Sequence, residues 1–226
     1  MTTTDLICMW IAELVPLAAA LFSFIYGLNK FFKKGKPLFL QSITMAMGCH
    51  ALGSLYHVCQ TLTTETVLDG FTPAYLGRIG FFLFLIAASY GQMDRIVDDG
   101  TKKIRPSRFV ALIAPLLALL LYIPNATMED LPIQTKVSVL LVWLPGIVAV
   151  YYNLKHFIIP DLDFGFIKAI KPYNLLATCL GFAELLCLTA WDYLYNTQLV
   201  IFSFVFAIFC VAMMIAAKKG AEKWKI

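Results

Sequence analysis

Seven stretches of the chain are dominated by apolar residues, at approximately 7–28, 38–62, 76–93, 109–123, 137–152, 173–194 and 199–217, with short polar segments between them. Most come close to the roughly 20 residues an α-helix needs to cross a hydrocarbon core. Inside lipid the backbone must satisfy its own hydrogen bonds, which a helix does within one segment. The pattern predicts an all-α polytopic membrane protein, a single domain (1–226) of seven transmembrane helices. The fourth and fifth stretches are short, so the pattern defines their ends least well.

Irregularities refine this picture. The fourth stretch, FVALIAPLLALLLYI, carries no charged or amide side chain, which suits a helix turned largely to lipid. Segments one to three and five to seven then run in the same directions on either side of it, so a three-plus-one-plus-three pseudo-repeat is a natural reading. Pro16, Pro115 and Pro145 fall inside segments and are expected to kink their helices. Residues 160–172, PDLDFGFIKAIKP, are bracketed by prolines and read as a loop or short helix lying in the membrane interface.

The linkers alternate in charge. The first holds Lys30, Lys33, Lys34 and Lys36, and the third Arg95, Lys102, Lys103, Arg105 and Arg108. The fifth holds Lys155, Lys168 and Lys171, and the tail Lys218, Lys219, Lys223 and Lys225. The N-terminus and the even-numbered linkers carry Asp5, Glu65, Asp69, Glu129 and Asp130, with Lys136 at a helix edge. Cytoplasmic loops attract Lys and Arg, so the N-terminus is expected outside and the C-terminus in the cytoplasm. MTTTDLICMW lacks the basic region and cleavage site of a signal peptide, so the first helix is expected to be retained.

Composition agrees: 60% of residues are hydrophobic and 14% charged, with a mean hydropathy of +0.78. A soluble domain is about half apolar and a quarter charged. The net charge of +4 follows from the basic linkers, so nucleic acid is not an expected partner. The bilayer is, in the plasma membrane or in the inner membrane of a bacterium. The six cysteines lie in or beside apolar stretches without a CxxC pair and read as small buried hydrophobes.

The candidate chemistry is polar residues at membrane depth, where an ionisable group costs at least ~2.5 to 3.5 kcal/mol unless it faces the bundle interior or water. His50, Ser54 and His57 recur at i, i+4 and i+7, one stripe on an apolar helix. Glu184 lies at matching depth in segment six, with Trp191 and Asp192 farther along the same face. These residues and Gln60 are expected to line an outward-facing pocket that binds a ligand or a coupling proton. Glu13 and Arg78 are expected at its rim or in a structural ion pair. Asp94 reads as a solvated boundary and His156 as a loop residue.

No metal or cofactor is expected. His50 and His57 are two helical turns apart, about 10.5 Å along the axis, too far to share a tetrahedral ion. His156, placed in a loop, offers no second axial ligand for haem. Ser54, His57 and Asp192 contain the groups of a hydrolase triad without an oxyanion hole. The layout resembles that of the opsins and other seven-helix groups, but the last segment has no lysine before Lys218 for a retinal Schiff base. The leading expectation is a small-solute transporter, a protein that is not an enzyme, with a small polar solute as its partner. The alternatives are a ligand-sensing receptor module acting on a cytoplasmic partner protein and an intramembrane lipid-modifying enzyme; a homo-oligomer is compatible with all three.

Overall fold

The computed structural model describes residues 3–63, 70–94, 104–129, 131–159, 166–193 and 197–223. Among the described residues the regular structure is helical, in seven rods: α1 (Thr3–Phe31), α2 (Leu38–Thr63), α3 (Pro73–Ala88), α4 (Arg105–Thr127), α5 (Ile133–Ile158), α6 (Phe166–Tyr193) and α7 (Thr197–Lys223). All but α3 are long and apolar enough to cross a membrane, which is the architecture of an integral membrane protein. The seven expected spans become six long helices and a shorter third. α3 has 16 residues, followed by a π-helical segment of six, Ser89–Asp94.

The fourth and fifth helices, expected to be short, are 23 and 26 residues long. Backbone bonding carries a helix past the last apolar residue, so hydropathy under-reads its length. α4 consists of two runs, Arg105–Ala111 and Ile113–Thr127, that meet at Leu112. Pro115 accounts for the break, because it has no N–H for the Ala111 carbonyl and its ring crowds that group. Pro16 and Pro145 lie inside unbroken helices. Of the expected interfacial stretch, 160–165 lie outside the described residues, and the rest is the beginning of α6 rather than a separate loop or short helix. Glu65, Asp69, Arg95, Lys102, Lys103, Asp130 and Lys225 also lie outside the described residues, as does the side chain of Asp5.

Helices α1, α2, α3, α5, α6 and α7 pack side by side in that order, and α7 closes on α1 to complete a ring. α4 stands outside it, against α5 and α6. Its attachment includes Trp143, a fully buried residue of α5 whose indole N–H donates to the Ala118 carbonyl at 2.9 Å. Large apolar side chains point outward, among them Phe22, Leu52, Leu83, Leu116, Leu144 and Phe204. Each would gain about 1.5–3 kcal/mol by leaving water, so an apolar solvent around the ring suits them.

Two helices meet unusually closely. A Cβ at Gly77 of α3 would stand 2.5 Å from the Cα of Gly53 and 2.6 Å from the Cys49 carbonyl of α2. Glycine at both positions lets the two backbones touch, as small residues do at membrane helix contacts. This contact sets the site, because Arg78 follows Gly77 and His50 precedes Gly53 by one turn.

Candidate functional site

His50 sits halfway along α2 and is buried to 1% exposure. Its ring stacks on Phe206 of α7, with centroids 4.4 Å apart, and meets Phe81 of α3 edge-on at 5.4 Å. The two rings fix the imidazole plane and direct its nitrogens along the ring interior. Nε2 lies 3.0 Å from Oε2 of Glu184, also 1% exposed, and Nδ1 lies 3.2 Å from the Ser54 hydroxyl one turn farther along α2. With Glu184 ionised, only His50 can supply the hydrogen between them; Nδ1 then accepts from Ser54 while the ring is neutral and donates to it when the ring is protonated.

The second carboxylate oxygen of Glu184 is 3.5 Å from Nε of Arg78, which is also buried. Three helices thus contribute to one charged cluster at the centre of the ring: α2 the imidazole, α3 the guanidinium and α6 the carboxylate. A nearby pair joins α1 to α2, with Nε2 of His57 at 3.2 Å from Oε1 of Glu13. α7 closes this side through Ser203, whose hydroxyl donates to the Ala12 carbonyl of α1 at 3.0 Å. Glu13, His50, Ser54, His57, Arg78, Glu184, Cys187 and Ser203 line a cavity of about 20 Å³, room for one ordered water.

The stripe expected on α2 therefore lines one cavity with Glu184. Arg78 and Glu13, expected at a rim, line the cavity itself, and Arg78 faces Glu184 there. Gln60 is half-buried, three residues beyond His57, where the lining stripe ends. The backbone of Trp191 and Asp192 belongs to α6, while their side chains lie outside the described residues.

Ser54, His50 and Glu184 are joined in the order of a hydrolase triad, with the roles of the two ring nitrogens exchanged. Ser54 lies in mid-helix, where the surrounding N–H groups serve the helix, so nothing in this geometry offers backbone donors to an oxyanion. Among the described residues no group of three His, Cys, Asp or Glu side chains stands ready for a metal ion. The six cysteines are free thiols.

A second polar cluster lies at the other end of α3, and two sequence expectations are corrected there. His156 is not a loop residue but part of the last turn of α5, fully buried, with Nε2 2.9 Å from Oδ1 of Asp94. Asp94 is not simply a solvated boundary, because the Lys155 ammonium bonds to the same oxygen. Just above, the buried Ser89 hydroxyl donates to Oδ1 of Asn153 at 2.9 Å. Hydropathy alone hid this cluster, since it straddles the polar end of a span. An i, i+3 pair, Asn153 and His156, at that end was the available signal.

Asn125-Ala-Thr127 has the form of a glycosylation sequon, but Asn125 is fully buried in the last turns of α4. Protein made in a eukaryotic secretory host is expected to keep its mass on glycosidase treatment. A loss of mass that disappears in Asn125→Gln would mean that this end of α4 opens in the cell. Comparison with known proteins finds no match among family models, curated proteins or solved structures.

Proposed function

We propose that the protein is a membrane transporter for a small polar solute, coupled to protons, acting in the plasma membrane or in the inner membrane of a bacterium. One observation supports this above the others: a carboxylate, an imidazole and a guanidinium are buried together at the centre of the helix ring, at the base of a polar cavity. Ion pairs that only clasp helices have no need of a cavity, and intramembrane charges of this kind mark substrate and proton paths. In this reading the N-terminal end faces outward, and the cavity lies on that side through His57, whose side chain is 23% exposed.

The cavity has room for one water and not for a solute, so loading requires helices to part. α1 and α7 are the candidates, joined beside the cavity by Ala12 and Leu199 and by the Ser203 bond. Protonation of Glu184 or of His50 changes the charge between α2, α3 and α6, and so ties a proton to the packing of the three helices.

Proton and solute flux in proteoliposomes tests this, with the wild type compared with Glu184→Gln and His50→Ala. Both variants are expected to lose flux at least ~10-fold in protein that remains folded. Flux unchanged in the variants, or absent from the wild type, overturns the transporter; ligand-induced thermal stabilisation would then test a sensing module.

A further inference from the structure

Each of the three histidines of the chain lies against a carboxylate. His57 pairs with Glu13 at 3.2 Å near the N-terminal end of the ring, His50 with Glu184 at 3.0 Å in its middle, and His156 with Asp94 at 2.9 Å near the other end. Imidazole is the side chain whose ordinary titration falls in the physiological range, so the three pairs are sites where a proton can rest. Between the middle pair and the last stands an apolar layer. Residues 79–88 of α3 read IGFFLFLIAA, and Phe81, Phe82 and Leu85 are fully buried against α5, α6 and α7.

The π-helical segment explains how Asp94 reaches His156. In an α-helix, positions five apart are about 140° apart around the axis. In a π turn, the N–H of residue i+5 bonds to the carbonyl of residue i, which brings the two toward one face. Ser89 and Asp94 are five apart across this segment, and both turn to α5, Ser89 to Asn153 and Asp94 to Lys155 and His156. π turns are frequent at functional sites. Here the turn aligns two polar groups at the far side of the apolar layer.

We infer that His156 and Asp94 are a second proton-binding site, from which the coupling proton leaves to the cytoplasm after it has crossed the apolar layer. The inference rests on the transporter reading. A proton reaching this side binds an imidazole nitrogen of His156 and makes the ring a cation held by the Asp94 carboxylate. It leaves as the Nε2–H bond of His156 breaks and an O–H bond forms on Asp94, which in turn breaks to water at the face of Asp94 that is 20% exposed, and the ring returns to neutral. No other bond changes.

Lys155 holds the Asp94 carboxylate in place. Tyr152 lies under the Lys155 ammonium, 4.8 Å from ring centroid to nitrogen, and Tyr90 of the π segment is 5.3 Å from Tyr152. Tyr173 of α6 is buried beside Ser89, and Arg105 and Arg108 of α4 belong to the same end of the bundle.

Two measurements on the full chain test the site. In lipid nanodiscs, histidine-selective ¹⁵N spectra, assigned through His50→Ala, His57→Ala and His156→Gln, are expected to show the His156 signals moving with bath pH between about 5 and 8, and not doing so in Asp94→Asn. In proteoliposomes, wild-type flux is expected to change several-fold as the cytoplasmic-side pH is varied over that range. His156→Gln is expected to flatten that profile to less than ~2-fold and to leave the dependence on external pH intact. A purely structural clasp would lower flux equally at every pH and keep both profiles. His156 signals that stay fixed, or a His156→Gln profile shaped like the wild type, overturn the release site while wild-type flux still upholds transport. A wild type without flux overturns transport, and the release role with it.

Discussion

Glu184→Gln is expected to destabilise the folded protein by about 3–5 kcal/mol, the usual cost of removing one partner from a buried ion pair. Glutamine keeps the shape of the side chain and can still bond to His50, so packing loss contributes little. The damage is electrostatic. Arg78 is buried at 6% exposure, and a guanidinium cannot escape its charge by losing a proton. Arg78→Met should cost less, because the stranded Glu184 can take up a proton or draw one onto His50, and a neutral pair is far cheaper to bury. The double variant Arg78→Met, Glu184→Gln should recover much of the loss, with a coupling energy on the order of 1–3 kcal/mol. Reversible unfolding in mixed micelles, read for the four proteins of the cycle, checks this. Equal and additive losses would show that the two residues do not act on each other.

Gly77→Ala is expected to rank next, at about 1–3 kcal/mol or more, and to weaken the site as well as the fold. Its added methyl meets the Gly53 backbone and the Cys49 carbonyl at 2.5 to 2.7 Å. Backbone atoms cannot swing aside, so α2 and α3 must separate, taking His50 away from Phe81 and Arg78 away from the cluster. Gly80→Ala is the natural comparison. A Cβ there meets only the side chain of Cys49, at 3.0 and 3.1 Å, which a small shift relieves. Unfolding midpoints of the two variants should differ clearly, Gly77→Ala being the lower. Equal midpoints would mean that the helices slide past each other without cost.

The two predictions show how local sequence becomes a site. Gly77 and Arg78 are neighbours in the chain with unlike tasks: the glycine brings α3 against α2, and the arginine is thereby carried to the ring interior. On α2 the same division holds between Gly53, which faces α3, and His50 and Ser54, which face Glu184.

Much of this was legible in the linear order of residues. Apolar runs near the length of a bilayer core made the helices, because lipid leaves a backbone no other partner. The charge-free fourth run did mark the helix that stands outside the ring. Spacing by itself placed His50, Ser54 and His57 on one face, and the burial cost of Glu184 marked it as an inward-facing group.

Two features depended on tertiary packing. Arg78 lies near the start of its apolar run, so its place along the chain suggested a rim. The close approach of Gly53 and Gly77, an event between helices, turned it inward to Glu184. The break at Leu112, by contrast, was marked in the sequence by Pro115, while the length of α5 followed from backbone bonding that hydropathy does not register. His156 and Asp94 sat where an apolar count ends, and a π turn that no periodicity forecast brought them together. Periodicity assigns a residue to a face of its own helix; which face meets which is decided by the fit between helices, and at this site by two glycines.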